Sequence, residues 1–248
     1  MFPDSGSMIK LATHTVVGFP NLKASEKIVS LLAKHSKIVE LQIPFSDPVA
    51  DGKLITSANA VALEQGINPR KCLDFAKRIT KKFPAVDFFF MSYFNPIFSF
   101  GLVKFAKAAK AAGVRGFIIP DLPVEEATEL LKVCQQYKLQ LVFVVSPNTP
   151  DARLKLIATK SGGWIYATAR LGITGAKTSF GSALKKFINR IRKYSKAEIG
   201  VGFGAKSKKD LSAIRASGAE IGIIGSELFR QYQAGGLKSL AKFLTSLD

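Results

Sequence analysis

The stretch that decides the fold reads Glu40-Leu41-Gln42-Ile43-Pro44-Phe45-Ser46-Asp47-Pro48-Val49-Ala50-Asp51-Gly52. It begins inside an apolar, β-branched run at 38–43 that predicts a buried strand, and Pro44 ends that strand. Asp47 and Asp51 follow on a loop too rich in Pro and Gly to be a helix or a strand. An acid inside a buried strand, such as Glu40, is costly unless it has a partner or a function. The stretch therefore predicts acids gathered at the C-terminal end of a strand, where many α/β enzymes place acid–base chemistry.

Short apolar runs alternate with amphipathic segments on both sides of this stretch. The predicted strands are 11–17, 38–43, 86–91, 116–119, 139–145, 164–167, 198–201 and 221–224. The predicted helices are 23–34, 69–82, 102–112, 125–137, 152–160, 182–194, 208–216 and 237–246. Eight strand–helix units in 248 residues match the usual size of a (β/α)₈ barrel. We predict an α/β fold, a single TIM-barrel domain over 1–248, and favour it over a doubly wound open sheet, which usually needs fewer strands.

Composition narrows the class of protein. The chain has 36 Lys and Arg against 18 Asp and Glu, a formal net charge of +18. This excess could attract nucleic acid, anionic lipid or phosphorylated metabolites, but the lysines are dispersed and lack the interleaved aromatic residues that stack bases. We expect no nucleic-acid partner, and the short apolar runs predict no membrane span. Cys72 and Cys134 fall in helical patterns typical of reduced thiols, which favours a cytoplasmic location.

Glycines at the ends of the last three predicted strands indicate an anion site. They are Gly175, Gly204 and Gly225, and Ser226 follows as a candidate cap for a short helix at 226–232. Barrels frequently bind phosphate between the loops after strands seven and eight, using backbone N–H groups and a helix N-terminus. Turns need glycine in any case, but the three glycines together favour a phosphate site.

Glu40 and Asp51 are the candidates for acid–base work, whereas Asp47 more simply braces its loop. Glu40 faces the predicted barrel interior, where a catalytic role is at least as well supported as a structural ion pair. The residue pattern does not separate these two interpretations.

Other kinds of site fit the sequence less well. His14 and His35 lie far apart, and no Cys or His cluster has ligand spacing, so we predict no metal site. The predicted strands are poor in lysine, which argues against a Schiff-base aldolase. Tyr93, Tyr166 and Phe203 are candidate pocket walls, and each fits an ordinary core or rim position equally well.

Taken in order, these motifs resemble the family of tryptophan synthase α subunits. The run at 40–52 looks like the family's signature, and the match continues from about Leu11 over nearly the whole chain. The further motifs, in the family's order and spacing, are Tyr93-Phe94-Asn95-Pro96, Asp121-Leu122-Pro123, Gly172-Ile173-Thr174-Gly175, Gly202-Phe203-Gly204 and Gly225-Ser226. The resemblance implies a lyase of tryptophan biosynthesis that cleaves indole-3-glycerol phosphate to indole and glyceraldehyde 3-phosphate by retro-aldol chemistry.

The resemblance also implies a role for each matching residue. Glu40 would shuttle protons between the glycerol hydroxyl and the indole ring carbon. Asp51 would accept a hydrogen bond from the indole N–H and stabilise the positive charge that develops on the ring. Arg170 and Gly172 would belong to a lid at 170–177 that closes over the substrate. The substrate-binding residues would be Tyr93, Tyr166, Thr174, Gly175, Phe203, Gly204, Gly225 and Ser226.

The family's partner is a β subunit that carries pyridoxal phosphate, so the resemblance implies an α2β2 heterotetramer in which this chain has no cofactor of its own. The loops at 46–53 and 120–123 would lie near that contact. Several positions depart from the family's pattern, namely Val16, Phe19, Gln42, Lys53, Thr56 and Ala169. Gln42 is expected to add bulk near the pocket, and Lys53 to bring a positive charge near Asp51. These departures leave open an alternative, a catalytically weakened barrel kept to bind and activate a β subunit.

Overall fold

The computed structural model describes residues 9–169, 180–202 and 204–248. In these residues nine parallel strands form one sheet, in the order 5-4-3-2-1-9-8-7-6. The strands are β1 (Lys10–Val16), β2 (Ile38–Gln42), β3 (Asp87–Met91), β4 (Gly116–Ile118), β5 (Gln140–Val142), β6 (Val144–Val145), β7 (Ile165–Thr168), β8 (Ile199–Gly202) and β9 (Ile221–Ile224).

The sheet closes on itself through the segment 140–145. β5 pairs with β4 at one edge of the sheet, and β6 pairs with β7 at the other. Between them, the carbonyl oxygen of Phe143 accepts a 3.0 Å hydrogen bond from the backbone N–H of Tyr166. β5 and β6 are therefore two parts of one strand that is interrupted at Phe143. Counted as one, they complete the eight-stranded barrel, and the predicted TIM-barrel fold is confirmed.

The helices lie between the strands along the chain. In the described residues they are α1 (Leu22–His35), α2 (Lys53–Glu64), α3 (Pro69–Lys82), α4 (Phe94–Phe100), α5 (Leu102–Ala111), α6 (Thr128–Gln136), α7 (Asp151–Lys160), α8 (Ser182–Arg192), α9 (Lys208–Ala216) and α10 (Ser226–Thr245). The sequence did not predict α2, which mixes Thr, Ser and Asn into its apolar pattern, or α4, which is short and contains a proline. Tertiary packing overrides weak local propensity in α4, whereas α2 contains strong helix formers such as Ala and Leu and was missed because its apolar pattern is interrupted.

α10 bears on two details of the sequence prediction. The two predicted helices at 226–232 and 237–246 lie on either side of a kink, at which Gly235 and Gly236 leave the helical conformation, so the prediction of two helical segments is confirmed. The N-cap position belongs to Gly225, and Ser226 is already the first helical residue, so the prediction that Ser226 caps the helix is wrong. The N-terminus of α10 nevertheless begins directly after β9, as the phosphate-site prediction requires.

Alternation along the strands divides the buried side chains into two sets. One set faces outward and packs against the helices, as Phe90 and Phe117 do against Phe105. The other set fills the barrel interior and comprises Ala12, Ile38, Phe89, Ile118, Val142, Trp164, Tyr166, Ile221 and Ile223. Toward the C-terminal ends of β1 and β2, the inward-facing residues are polar. An apolar interior thus supports a polar site at one end of the barrel.

The two cysteines, Cys72 and Cys134, are buried and not joined by a disulfide. Burial raises the pKa of both thiols, that of Cys134 to about 12, which keeps them protonated. Among the described residues, none of the helices has the length and apolar character needed to span a membrane.

Candidate active site

His14 and Glu40 lie opposite each other on β1 and β2, where the parallel register pairs them directly. His14 Nδ1 is 3.1 Å from Glu40 Oε2, and the two side chains are only 4% and 1% exposed. Because a buried carboxylate is costly without a partner, His14 explains how β2 can carry Glu40 at all. Sequence reasoning missed this pair. The signal was available in part, since His14 alternates with Ala12 on the inward face of β1, but the register between strands was not.

Three polar atoms of this site are buried and have no hydrogen-bond partner in the described part of the chain. They are His14 Nε2, Glu40 Oε1 and Gln42 Oε1. Buried polar groups are nearly always paired, so unpaired ones at the same end of a barrel make this end a candidate ligand site.

Asp51 is held by two amide side chains. Gln42 Nε2 donates a 2.7 Å hydrogen bond to Asp51 Oδ2, and Asn59 Nδ2 lies 3.3 Å from the same oxygen. Asn59 belongs to α2 and also donates to the carbonyl of Ile55, so that its amide is fixed. Gln42, which was expected to add bulk near the pocket, also binds the carboxylate that the sequence singled out.

The pKa of Asp51 reflects opposing influences. Burial raises it, while the hydrogen bond from Gln42, the charge of His14 and the hydrogen bonds from Asn59 and Tyr93 lower it. Burial has the larger effect, so the pKa of Asp51 lies above its ordinary value. The amide donors therefore favour an ionised Asp51 against the cost of burial.

Tyr93 supports the loop that carries Asp51. Its side chain is buried, its hydroxyl accepts a 2.9 Å hydrogen bond from the Ala50 N–H, and its ring stacks on Phe45. Burial and the charge of Asp51 raise the pKa of Tyr93 well above its ordinary value, which keeps the phenol neutral. Of the two interpretations left open, a pocket wall or a core position, the contacts favour a core position beside the pocket.

Tyr166 lies on the opposite side of the barrel interior, on β7. Burial raises its pKa well above the ordinary value, and the charges of Glu40 and Asp51 raise it further. The structure thus brings Tyr166 into the electrostatic field of both candidate carboxylates. An added Cβ on Gly202 would lie 2.3 Å from Tyr166 Oη, so glycine is required at the end of β8 for this ring to fit.

The glycines after β8 and β9 lie where the sequence predicted. Gly204 has a φ of 106°, a conformation that strongly favours glycine. Gly225 precedes α10, and a Cβ placed there would be 3.6 Å from His14 Cβ. The turn before α10 therefore lies beside the His14–Glu40 pair, and Ser226 follows it. The other predicted site residues, Arg170, Gly172, Thr174, Gly175 and Phe203, lie outside the described residues.

Metal binding finds no support in the described ranges, which contain no group of three or more His, Cys, Asp or Glu side chains placed to hold an ion. The polar groups that do converge are two carboxylates, a histidine, two amides and a phenol. They lie at the C-terminal ends of parallel strands next to a helix N-terminus. This arrangement defines a (β/α)₈-barrel enzyme site suited to acid–base chemistry on an anionic substrate.

Comparison with known proteins specifies the family. The family model described as tryptophan synthase alpha chain matches residues 6–245. The chain therefore belongs to the tryptophan synthase alpha chain family, and the resemblance drawn from its motifs is confirmed.

Individual relatives agree with this assignment. A tryptophan synthase alpha chain of Methanocaldococcus jannaschii is 42% identical over 232 residues, which cover 92% of this chain and 83% of the relative. One of Syntrophotalea carbinolica is 37% identical over 240 residues, covering 96% and 94%. Among solved structures, Mycobacterium tuberculosis tryptophan synthase superposes with a TM-score of 0.90 at 30% identity, covering 97% of this chain and 91% of that one. The Pyrococcus furiosus α2β2 complex gives 0.89 at 30% identity, covering 100% and 99%.

Proposed function

We propose that this chain is an active tryptophan synthase α subunit, which cleaves indole-3-glycerol phosphate to indole and glyceraldehyde 3-phosphate. The observation that carries the proposal is the joint placement of Glu40 and Asp51 in one polar cluster at the barrel end, in a chain that belongs to this family. A retro-aldol cleavage needs one group that moves a proton and one that stabilises charge on the departing ring. The two carboxylates supply these two functions.

Glu40 and Asp51 act on different atoms of the substrate. Glu40 delivers a proton to the indole ring carbon that bears the side chain and takes the proton of the adjacent hydroxyl as the carbon–carbon bond breaks and the aldehyde forms. Asp51 accepts a hydrogen bond from the indole N–H and stabilises the positive charge of the protonated ring, which requires an ionised carboxylate. The donors Gln42 and Asn59 support that state.

The substrate phosphate binds at the turn before α10, beside His14. Gly225 and Ser226 present backbone N–H groups there, and the helix dipole favours an anion. Gly204 contributes from the end of β8. The family resemblance adds Thr174, Gly175 and Phe203 to this set and gives Arg170 and Gly172 to a closing lid.

The partner in this proposal is a tryptophan synthase β subunit in an α2β2 assembly, which holds the pyridoxal phosphate. Three loops of this chain form a connected rim, because Ala50 N–H binds Tyr93 Oη and Phe94 N–H binds Asp121 Oδ1 at 2.9 Å. Val49, an apolar residue on this rim, is 76% exposed. We place the assembly in the cytoplasm, in keeping with the reduced cysteines.

Glu40→Gln tests the catalytic assignment. It keeps the shape of the side chain and removes the acid, and we expect indole release to fall by about 10²–10⁴-fold, the usual contribution of a general acid–base group. Circular dichroism and thermal melting should show an intact barrel. Glu129→Gln, on the exposed face of α6, is the matched control and should retain activity. Turnover like that of the unmodified chain in Glu40→Gln would contradict the mechanism.

The alternative, a weakened barrel that only activates a β subunit, drew on departures such as Gln42. The hydrogen bond from Gln42 to Asp51 weakens that argument, because Gln42 holds the carboxylate in place. Indole release from indole-3-glycerol phosphate, measured with and without added β subunit, separates the two functions. A chain that stimulates the β reaction and releases no indole would be the activator.

A further inference from the structure

The ring of His14 has two functional sides. Nδ1 contacts Glu40 Oε2, whereas Nε2 is buried and has no hydrogen-bond partner among the described residues. The carboxylate shows the same division, since Oε2 is bound and Oε1 has no partner within the described ranges. His14 Nδ1 and Glu40 Oε2 thus bind each other, and His14 Nε2 and Glu40 Oε1 are available to a ligand. A purely structural ion pair in the interior has no reason to leave both second atoms unpaired.

The surroundings of His14 show which part of a ligand would reach it. Its Cβ and Cγ would lie 3.6 and 3.9 Å from a Cβ placed on Gly225, the residue before α10. Its ring is 6.1 Å from the ring of Phe229, in the first turns of the same helix. His14 therefore lies between Glu40 on β2 and the turn that receives the phosphate in the proposed function.

The substrate has a matching order of groups. Its ring-attached carbon bears the hydroxyl that Glu40 deprotonates, the phosphate is at the far end of the chain, and a second hydroxyl lies on the carbon between them. This middle hydroxyl is retained in glyceraldehyde 3-phosphate, so a group that binds it need not exchange a proton with it.

We propose that His14 acts twice in the reaction: Nδ1 holds Glu40 so that Oε1 faces the reacting carbon, and Nε2 hydrogen-bonds the middle hydroxyl of the glycerol chain. The inference rests on the proposed function, since it names how that site recognises its substrate. His14 is a positioning residue for Glu40 and a specificity residue for the hydroxyl. In this arrangement Nδ1–H donates to Glu40 Oε2 and Nε2 accepts from the hydroxyl; neither proton is transferred, so the proton balance of the cleavage is unchanged.

Three variants separate the two sides of the ring. His14→Asn places an amide near the position of Nδ1, His14→Gln extends an amide toward the position of Nε2, and His14→Phe removes both nitrogens while keeping a ring. We expect kcat/KM of His14→Phe to fall on the order of tenfold to a hundredfold. His14→Asn should recover kcat more than KM, and His14→Gln should recover KM more than kcat. His35→Phe is the control, because His35 is the only other histidine of the chain and pairs with Asp248 at the surface.

A binding experiment tests the hydroxyl contact without turnover. Calorimetry compares 2-hydroxypropyl phosphate with propyl phosphate, which differ only in the middle hydroxyl, on the unmodified chain and on His14→Phe. We expect His14→Phe to lose about five- to tenfold in affinity for the hydroxylated ligand and to bind the propyl phosphate as before. Equal losses for both ligands, or no loss for either, would overturn the hydroxyl contact.

The two experiments also separate this inference from the function on which it rests. If the unmodified chain releases no indole under any condition, the proposed function fails, whatever His14 does in the binding experiment. If the unmodified chain is active and His14→Phe matches it in kcat, KM and ligand preference while remaining folded, the function stands and the inference is overturned.

Discussion

Gln42 Nε2 donates a 2.7 Å hydrogen bond to Asp51 Oδ2, which joins the last residue of β2 to the loop that follows it. Gln42 is almost fully buried, and its amide is also within 3.3 Å of Asn59 Oδ1. Gln42 departs from the family's pattern and so raised doubt about activity, but in the structure it holds the carboxylate of Asp51 in place. The contact links the chemistry of Asp51 to the identity of residue 42.

Replacement of Gln42 should impair the site in a pH-dependent way. Gln42→Leu removes the donor, so the pKa of Asp51 should rise further, and we expect kcat/KM for indole-3-glycerol phosphate to fall by roughly tenfold. Because an ionised Asp51 is required, the acid limb of the pH profile should move to higher pH, and it should move further in Gln42→Glu. Gln136→Glu on the exposed end of α6 is the control. An unchanged profile in Gln42→Glu would show that Asp51 does not depend on this amide.

Asp51→Asn should lose activity and gain stability. Burial raises the folded-state pKa of Asp51 above its unfolded value, so its ionised form costs folding free energy at neutral pH. The variant should therefore unfold at a higher denaturant concentration than the parent at pH 7. The difference should shrink as the pH is lowered through the folded-state pKa and vanish below the ordinary value near 3.8. Asp47→Asn, an exposed acid of the same loop, should show no such gain. Lower stability of Asp51→Asn at pH 7 would contradict the argument.

Tyr93→Phe should loosen the loop that carries Asp51 and leave the barrel intact. The hydroxyl accepts from the Ala50 N–H and hydrogen-bonds Asp51, and its loss removes both contacts while the ring still stacks on Phe45. We expect KM to rise on the order of tenfold through the loosened loop, with a smaller change in kcat. Steady-state kinetics of indole release measure both. Tyr194→Phe removes a hydroxyl that binds the exposed Asp151 and should change neither constant. Equal kinetics for the two variants would exclude a role for Tyr93 in holding the loop.

The sequence predicts the barrel well because its signals are local. Alternating apolar strands and amphipathic helices need only neighbours along the chain to be recognised, and all eight strand positions were found in this way. The failures have other causes. α2 was missed because Thr, Ser and Asn interrupt its apolar pattern, whereas the break at Phe143, where the partner of the strand changes from β4 to β7, depends on the closed barrel. α4 is short and contains a proline, and it forms against its weak local propensity.

The site residues show the same contrast between what is visible along the chain and what only folding brings together. The chain itself shows Glu40 in a buried strand and Asp51 on the loop after it, because an acid in an apolar run is visible without any structure. His14 lies 26 residues from Glu40, and Tyr93 lies 43 residues from Ala50, and only folding brings these atoms within hydrogen-bond distance.

By itself, the sequence determined a (β/α)₈ barrel, two acids at the end of its second strand, and glycines after its last strands. Periodicity and residue type are sufficient for these predictions, since both can be recognised from neighbouring residues along the chain. The tertiary structure decided the partners, namely His14 for Glu40 and Gln42 with Asn59 for Asp51. These pairs depend on the register between β1 and β2 and on the packing of α2 against the loop, and such long-range geometry is set by the closed barrel as a whole.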